Sequence, residues 1–102
     1  MPTLRVEVVV RWPEVGAVVV SMLEVLGYLV VDAQAGDPHP PDVVVRDARY
    51  DPPGGWVDRP EVVLSGSAVG VVIETAGTVR VGKPFSPEQL AAAVRLAVGG
   101  AA

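Results

Sequence analysis

The sequence contains no cysteine, which removes disulfide staples, thiolate metal ligands and a cysteine nucleophile together. Histidine occurs once, as His39 within Asp37-Pro38-His39-Pro40-Pro41, where neither helix nor strand would hold a zinc ligand or the base of a Ser/His/Asp triad. Aromatic residues make up only 5% of the chain, so the core must be aliphatic. Basic residues are few and scattered, and 8 Lys and Arg against 12 Asp and Glu leave a net charge of −4. No basic cluster supplies the electrostatic footprint of a phosphate backbone, so no nucleic-acid partner is expected. Gly16, Ser21, Glu24 and Gly27 break the longest apolar stretch before it could cross a bilayer, and no membrane partner is expected either. No basic segment precedes the first Val run, and Glu7 interrupts it, so there is no sign of an export leader. These absences together predict a soluble cytoplasmic protein.

Half of the 102 residues are apolar, with Val dominant, and 10 Pro and 11 Gly punctuate them. That length supports one domain with one core, expected over 1–98, followed by a flexible tail over 99–102. Leu4 to Val10 reads as a strand buried on both faces. Val15, Val18, Val19, Met22 and Leu26 fall at helical spacing between Pro13 and Gly27, although three consecutive β-branched residues at Val18-Val19-Val20 work against a helix. Tyr28 to Ala33, Asp42 to Arg46 and Glu61 to Leu64 read as further strands. The loop from Tyr50 to Trp56 is too rich in Pro and Gly to carry a helix, and Trp56 is expected to plug it onto the core. Ser67 to Ala76 reads preferentially as a helix capped by Ser67, with a hairpin from Val71 to Val81 turning at Ala76-Gly77 as the alternative. Thr78 to Val81 then forms the fifth strand. Ser86-Pro87-Glu88-Gln89 opens the clearest helix, with Ser86 as N-cap, Gln89 completing a capping box and Gly99-Gly100 as the stop. Buried Val-rich strands interleaved with helices imply an α/β fold with a small, mostly parallel five-stranded sheet.

Four landmarks then come in order. They are Trp12-Pro13-Glu14-Val15 through Leu26-Gly27-Tyr28-Leu29-Val30, Pro41-Asp42-Val43-Val44-Val45-Arg46-Asp47, Val63-Leu64-Ser65-Gly66, and Lys83-Pro84-Phe85-Ser86-Pro87-Glu88-Gln89-Leu90. Across nearly the whole chain this succession resembles the receiver domain of two-component response regulators. The resemblance implies a flavodoxin-like strand order, with Asp47 as the phosphoacceptor-like residue and Ser65, Lys83 and Pro84 as the switch site. In open parallel sheets such groups meet beyond the carboxyl ends of the strands.

Two departures qualify what the resemblance implies. Where the family carries two metal-binding acids after its first strand, this chain has Val10 and Arg11, so the metal site is broken and neither metal nor cofactor is expected. Mg²⁺ requires oxygen ligands in near-octahedral geometry, which one carboxylate does not provide. The stretches between Ala33 and Pro41 and between Tyr50 and Glu61 are also too short for two of the usual helices. Ala35 to Pro41 spans roughly 23 Å when extended, enough to cross a strand and return along the sheet.

The expected function is therefore a phosphorylation-independent signalling or protein-interaction module, not an enzyme and without catalytic residues. The alternative is a working phospho-receiver that accepts phosphate on Asp47 from a histidine kinase, with Mg²⁺ held by acids such as Glu7 or Glu14. A nucleotide- or flavin-binding protein is disfavoured, because Arg11-Trp12-Pro13 lacks glycine and Gly66-Ser67-Ala68-Val69-Gly70 is not a phosphate loop. Arg11, or failing it Lys83, is expected to balance the charge of Asp47. Strands built for burial on both faces, with only two firm helices sharing one face, predict a protein partner or a homodimer on the uncovered face. The competing expectation is that Tyr50, Trp56 and the Pro-rich loops seal that face.

Overall fold

A computed structural model describes residues 4–31, 40–48, 59–66, 70–75 and 77–101. In chain order they form β1 (Arg5–Val9), α1 (Pro13–Val25), β2 (Leu29–Val31), β3 (Val43–Asp47), β4 (Glu61–Ser65), β5 (Val71–Thr75), β6 (Thr78–Gly82) and α2 (Pro87–Ala101). One sheet contains all six strands in the order β2-β1-β3-β4-β6-β5. Every neighbouring pair is parallel except β5 with β6.

Both helices lie against one face of the sheet. Val19 and Leu23 of α1 and Leu90, Ala93, Val94 and Ala97 of α2 form a continuous core with Val6, Val43, Val45, Val62, Leu64, Val79 and Val81. A fully buried Val or Leu side chain contributes about 1.5–3 kcal/mol, which outweighs the few tenths that each β-branched residue costs a helix. The Val18-Val19-Val20 run is therefore helical because Val19 is anchored in the core. At the end of α1, Tyr28 N–H donates to the Leu23 carbonyl and Gly27 N–H to the Glu24 carbonyl, both at 3.0 Å. This double closure needs a left-handed residue, supplied by Gly27 at φ 93°. At the start of α2, Gln89 N–H donates to Ser86 Oγ at 3.1 Å and Ser86 N–H to Gln89 Oε1 at 2.9 Å, which is the capping box read from the sequence.

Three expectations are corrected. The segment preferred as a helix is the edge strand β5 over Val71–Thr75, so the sheet has six strands and the hairpin alternative holds. Four of its five residues are β-branched, and Gly77 at φ 86° supplies the turn into β6, so local preference and turn chemistry agree against the single cap signal at Ser67. Residues 67–69 lie outside the described residues. The second correction is that α2 runs through Gly99 and Gly100 to Ala101, so the glycine pair does not stop it. A glycine ends a helix only when the chain turns left-handed there, and otherwise costs about 1 kcal/mol within it.

The third correction concerns the sheet face away from the helices. Val9, Val44 and Val63 point to it and are only 9%, 8% and 1% exposed, so its centre is not an open apolar patch. Its charges are also paired. Arg46 makes a two-pronged contact with Glu61, at 2.9 and 3.2 Å, between neighbouring strands. Tyr50 and Trp56, expected to seal this face, lie outside the described residues.

Candidate functional site

Three parallel strands end together, and their ends bring the sequence-selected residues into one place. Asp47 closes β3 beside Leu64, Ser65 closes β4 beside Gly82, and Lys83 follows β6 directly. Backbone bonds fix this staggered ledge: Ala48 N–H donates to the Leu64 carbonyl and Lys83 N–H to the Ser65 carbonyl, both at 2.9 Å. Ser65 is 4% exposed, and the Lys83–Pro84 peptide bond is cis.

Both oxygens of Asp47 are engaged. Lys83 Nζ lies 2.7 Å from Oδ1, and the backbone N–H of Arg11, just past β1, donates to Oδ2 at 2.9 Å. Burial pushes the carboxyl pKa upward. The Lys83 hydrogen bond, the Arg11 N–H and the Lys83 charge together outweigh that effect and hold it below the ordinary carboxylate value. The ion pair is fulfilled by Lys83 and not by the side chain of Arg11, whose guanidinium lies over the Trp12 ring, 5.3 Å from its centroid. The Arg11 contribution is a backbone donor, which any residue but proline could supply at that position.

Val10 and the acids considered as substitutes occupy other environments. Val10 lines a hollow of about 440 Å³ between α1 and the β1–β2 edge, shared with Val8, Gly16, Val20, Glu24 and Val30. Glu7 is paired in register with Val44, three residues before Asp47, which places it ~10 Å back along the strands. Strand alternation also turns it to the opposite face from Val8 and Val10. Glu14 is exposed in the first turn of α1. Among the described residues no group of three or more His, Asp or Glu side chains is arranged to hold a metal ion. His39 lies outside the described residues.

Sequence reading missed the Arg11 N–H donor and the Arg46–Glu61 pair. The second carries a signal in retrospect, since opposite charges at the start of one strand and the end of its parallel neighbour become diagonal partners once the register is known.

These features define an α/β protein with a mostly parallel sheet and an ion-paired aspartate at the carboxyl ends of its strands. No protein-family model and no curated protein matches the chain. Twenty-three (23) solved chains match it in structure. One of them, described as the yeast Spc42 trimeric coiled coil fused to another structure, superposes with a TM-score of 0.69 at 16% identity, over 97% of this chain and 79% of that one. A coiled coil contains no sheet, so a match of that extent falls on the fused partner, and it speaks for the fold alone. No helix among the described residues is long and apolar enough to cross a membrane.

Proposed function

We propose that this chain is a receiver-like domain that acts by binding another protein, with Asp47 held in a charge-balanced state that replaces phosphorylation. The observation that carries this reading is the complete engagement of the Asp47 carboxylate by Lys83 Nζ and the Arg11 N–H. Support also comes from topology. The five parallel strands run in the order β2-β1-β3-β4-β6, which supports the flavodoxin-like reading, and Asp47 ends β3 next to β1, where the strand order reverses.

Phosphoryl transfer to a carboxylate depends on cations that offset charge on the transferred group. Here the end of β1 supplies aliphatic Val10 and a guanidinium laid on Trp12, while Glu7 is displaced down the strand. Among the described residues, Lys83 supplies the positive charge that faces Asp47, and it is already paired.

The test is to incubate the protein with acetyl phosphate and Mg²⁺ and to record its intact mass. The expected result is no stoichiometric phosphoryl adduct. An adduct that disappears in Asp47→Asn would overturn the proposal in favour of a phospho-receiver served by a histidine kinase.

A further inference from the structure

Strand β5 ends the sheet on one side, and among the described residues it pairs with β6 alone. An unpaired edge offers a row of N–H and C=O groups to another strand, and soluble proteins ordinarily protect it with Lys, Pro, bulges or brevity. The opposite edge, β2, is only three residues long. By contrast β5 has five residues, no Lys or Pro, the irregularity between Ile73 and Thr75 as its one such device, and exposed Val72 and Ile73 at 43% and 60%. Its one charge, Glu74, is neutralised within the chain by Arg80 at 2.8 Å.

The direction of the free backbone groups follows from the ladder. Gly82 N–H donates to the Gly70 carbonyl at 2.9 Å, so Gly70 and Gly82 form a bonded position, and the register makes Val72 and Arg80 the next. In antiparallel pairing the positions between them turn outward, so Val71 and Ile73 direct their N–H and C=O groups away from β6.

We propose that two copies of this chain join through β5, antiparallel about a two-fold axis at Val72, into one continuous sheet. In that register Val71 of each copy faces Ile73 of the other, and all the outward groups of both residues are bonded. Val72 meets its own counterpart in a close, non-bonded pair, and Glu74 faces Gly70, so no like charges meet. A two-fold axis at Ile73 would instead set Val71 against Thr75, across the irregularity between Ile73 and Thr75. Parallel in-register pairing would stack Glu74 on Glu74. The antiparallel arrangement at Val72 is therefore the one in which hydrogen bonding and charge agree. It uses the sheet edge and not the face, and it is independent of the receiver reading.

An interface this small falls below the ~1,200 Å² of standard complexes, so the dimer is weak and concentration-dependent. Sedimentation equilibrium on the full chain from about 1 µM to about 1 mM should show a monomer–dimer equilibrium. Val72→Lys sets two ammonium groups face to face and should raise the dissociation constant by about tenfold or more. Leu29→Lys, on the opposite edge at a residue 49% exposed, should leave it within about twofold. Because the chain has no cysteine, Val72→Cys should give a disulfide-linked dimer on mild oxidation, at a pair spacing of about 4.5 Å between Cα atoms, whereas Leu29→Cys should not. A monomer throughout that range, a dimer unaffected by Val72→Lys, or equal cross-linking from Leu29→Cys would each overturn the proposal. So would capture of a different chain on β5 by a protein that remains monomeric alone.

Discussion

Two strand-to-helix junctions meet at Asp47, and they serve it in different ways. The junction from β1 into α1 gives a backbone N–H at Arg11, while its side chain turns onto Trp12. The junction from β6 into α2 gives a side chain, the Lys83 ammonium. They also begin their helices differently. Trp12 occupies the N-cap of α1 in an extended conformation with no side-chain bond, whereas Ser86 and Gln89 close the start of α2 reciprocally. One junction is thus specified by the path of the backbone and the other by the identity of its residues, so substitutions should be tolerated at the first and costly at the second.

The largest test asks whether the two helices are equally anchored beneath this difference. Leu23 in α1 and Leu90 in α2 are both fully buried, and truncation of either to Ala is expected to cost about 2–5 kcal/mol in chemical denaturation. A loss confined to Leu90→Ala would show that α1 is held by its junction and not by its packing, reversing the comparison.

A smaller effect is expected at the ion pair. Lys83→Met leaves Asp47 with the Arg11 N–H alone and should raise its pKa, at a cost of about 1 kcal/mol, limited because the Lys83 side chain is 35% exposed. Arg11→Ala should leave the Asp47 titration followed by NMR unchanged, since the donor is the peptide. The pH dependence follows from the depressed folded-state pKa of Asp47. Its contribution is fully present above the unfolded value of about 3.9 and is lost as pH falls through the lower folded value. Lys83→Met should therefore flatten the acid limb of the stability profile, and an equal flattening in Arg11→Ala would show that the guanidinium contributes after all.

The smallest pair of effects has opposite signs. Ser86→Ala removes a satisfied cap and should destabilise by about 1 kcal/mol, whereas Trp12→Asp supplies a missing one and should stabilise by about 0.5 kcal/mol in thermal unfolding. If Trp12→Asp destabilised instead, the stacking of Arg11 on Trp12 would carry more weight at the first junction than the open helix terminus.

The residues show why one junction was legible and the other was not. Ser86-Pro87-Glu88-Gln89 announces α2 because a capping box is local chemistry, complete within four residues. The meeting of Asp47 with Lys83 could be anticipated from their places at the carboxyl ends of two strands of one parallel sheet, on either side of β4. The Arg11 donor had no signature, since every residue except proline carries a peptide N–H. At β5, the helix expectation gave too much weight to a possible cap at Ser67 and too little to the β-branched run Val71-Val72-Ile73.

The sequence by itself determined the aliphatic core, the Val-rich strands among the helices α1 and α2, the start of α2 and the candidate pairing at Asp47, because periodicity, caps and turns act over a few residues. Only the tertiary structure decided that β5 is a sheet edge, that Lys83 and not the Arg11 side chain balances Asp47, and that Arg46 reaches Glu61. Those outcomes depend on the register between strands distant in the chain, and a slip of one residue would turn the same side chains to the opposite face.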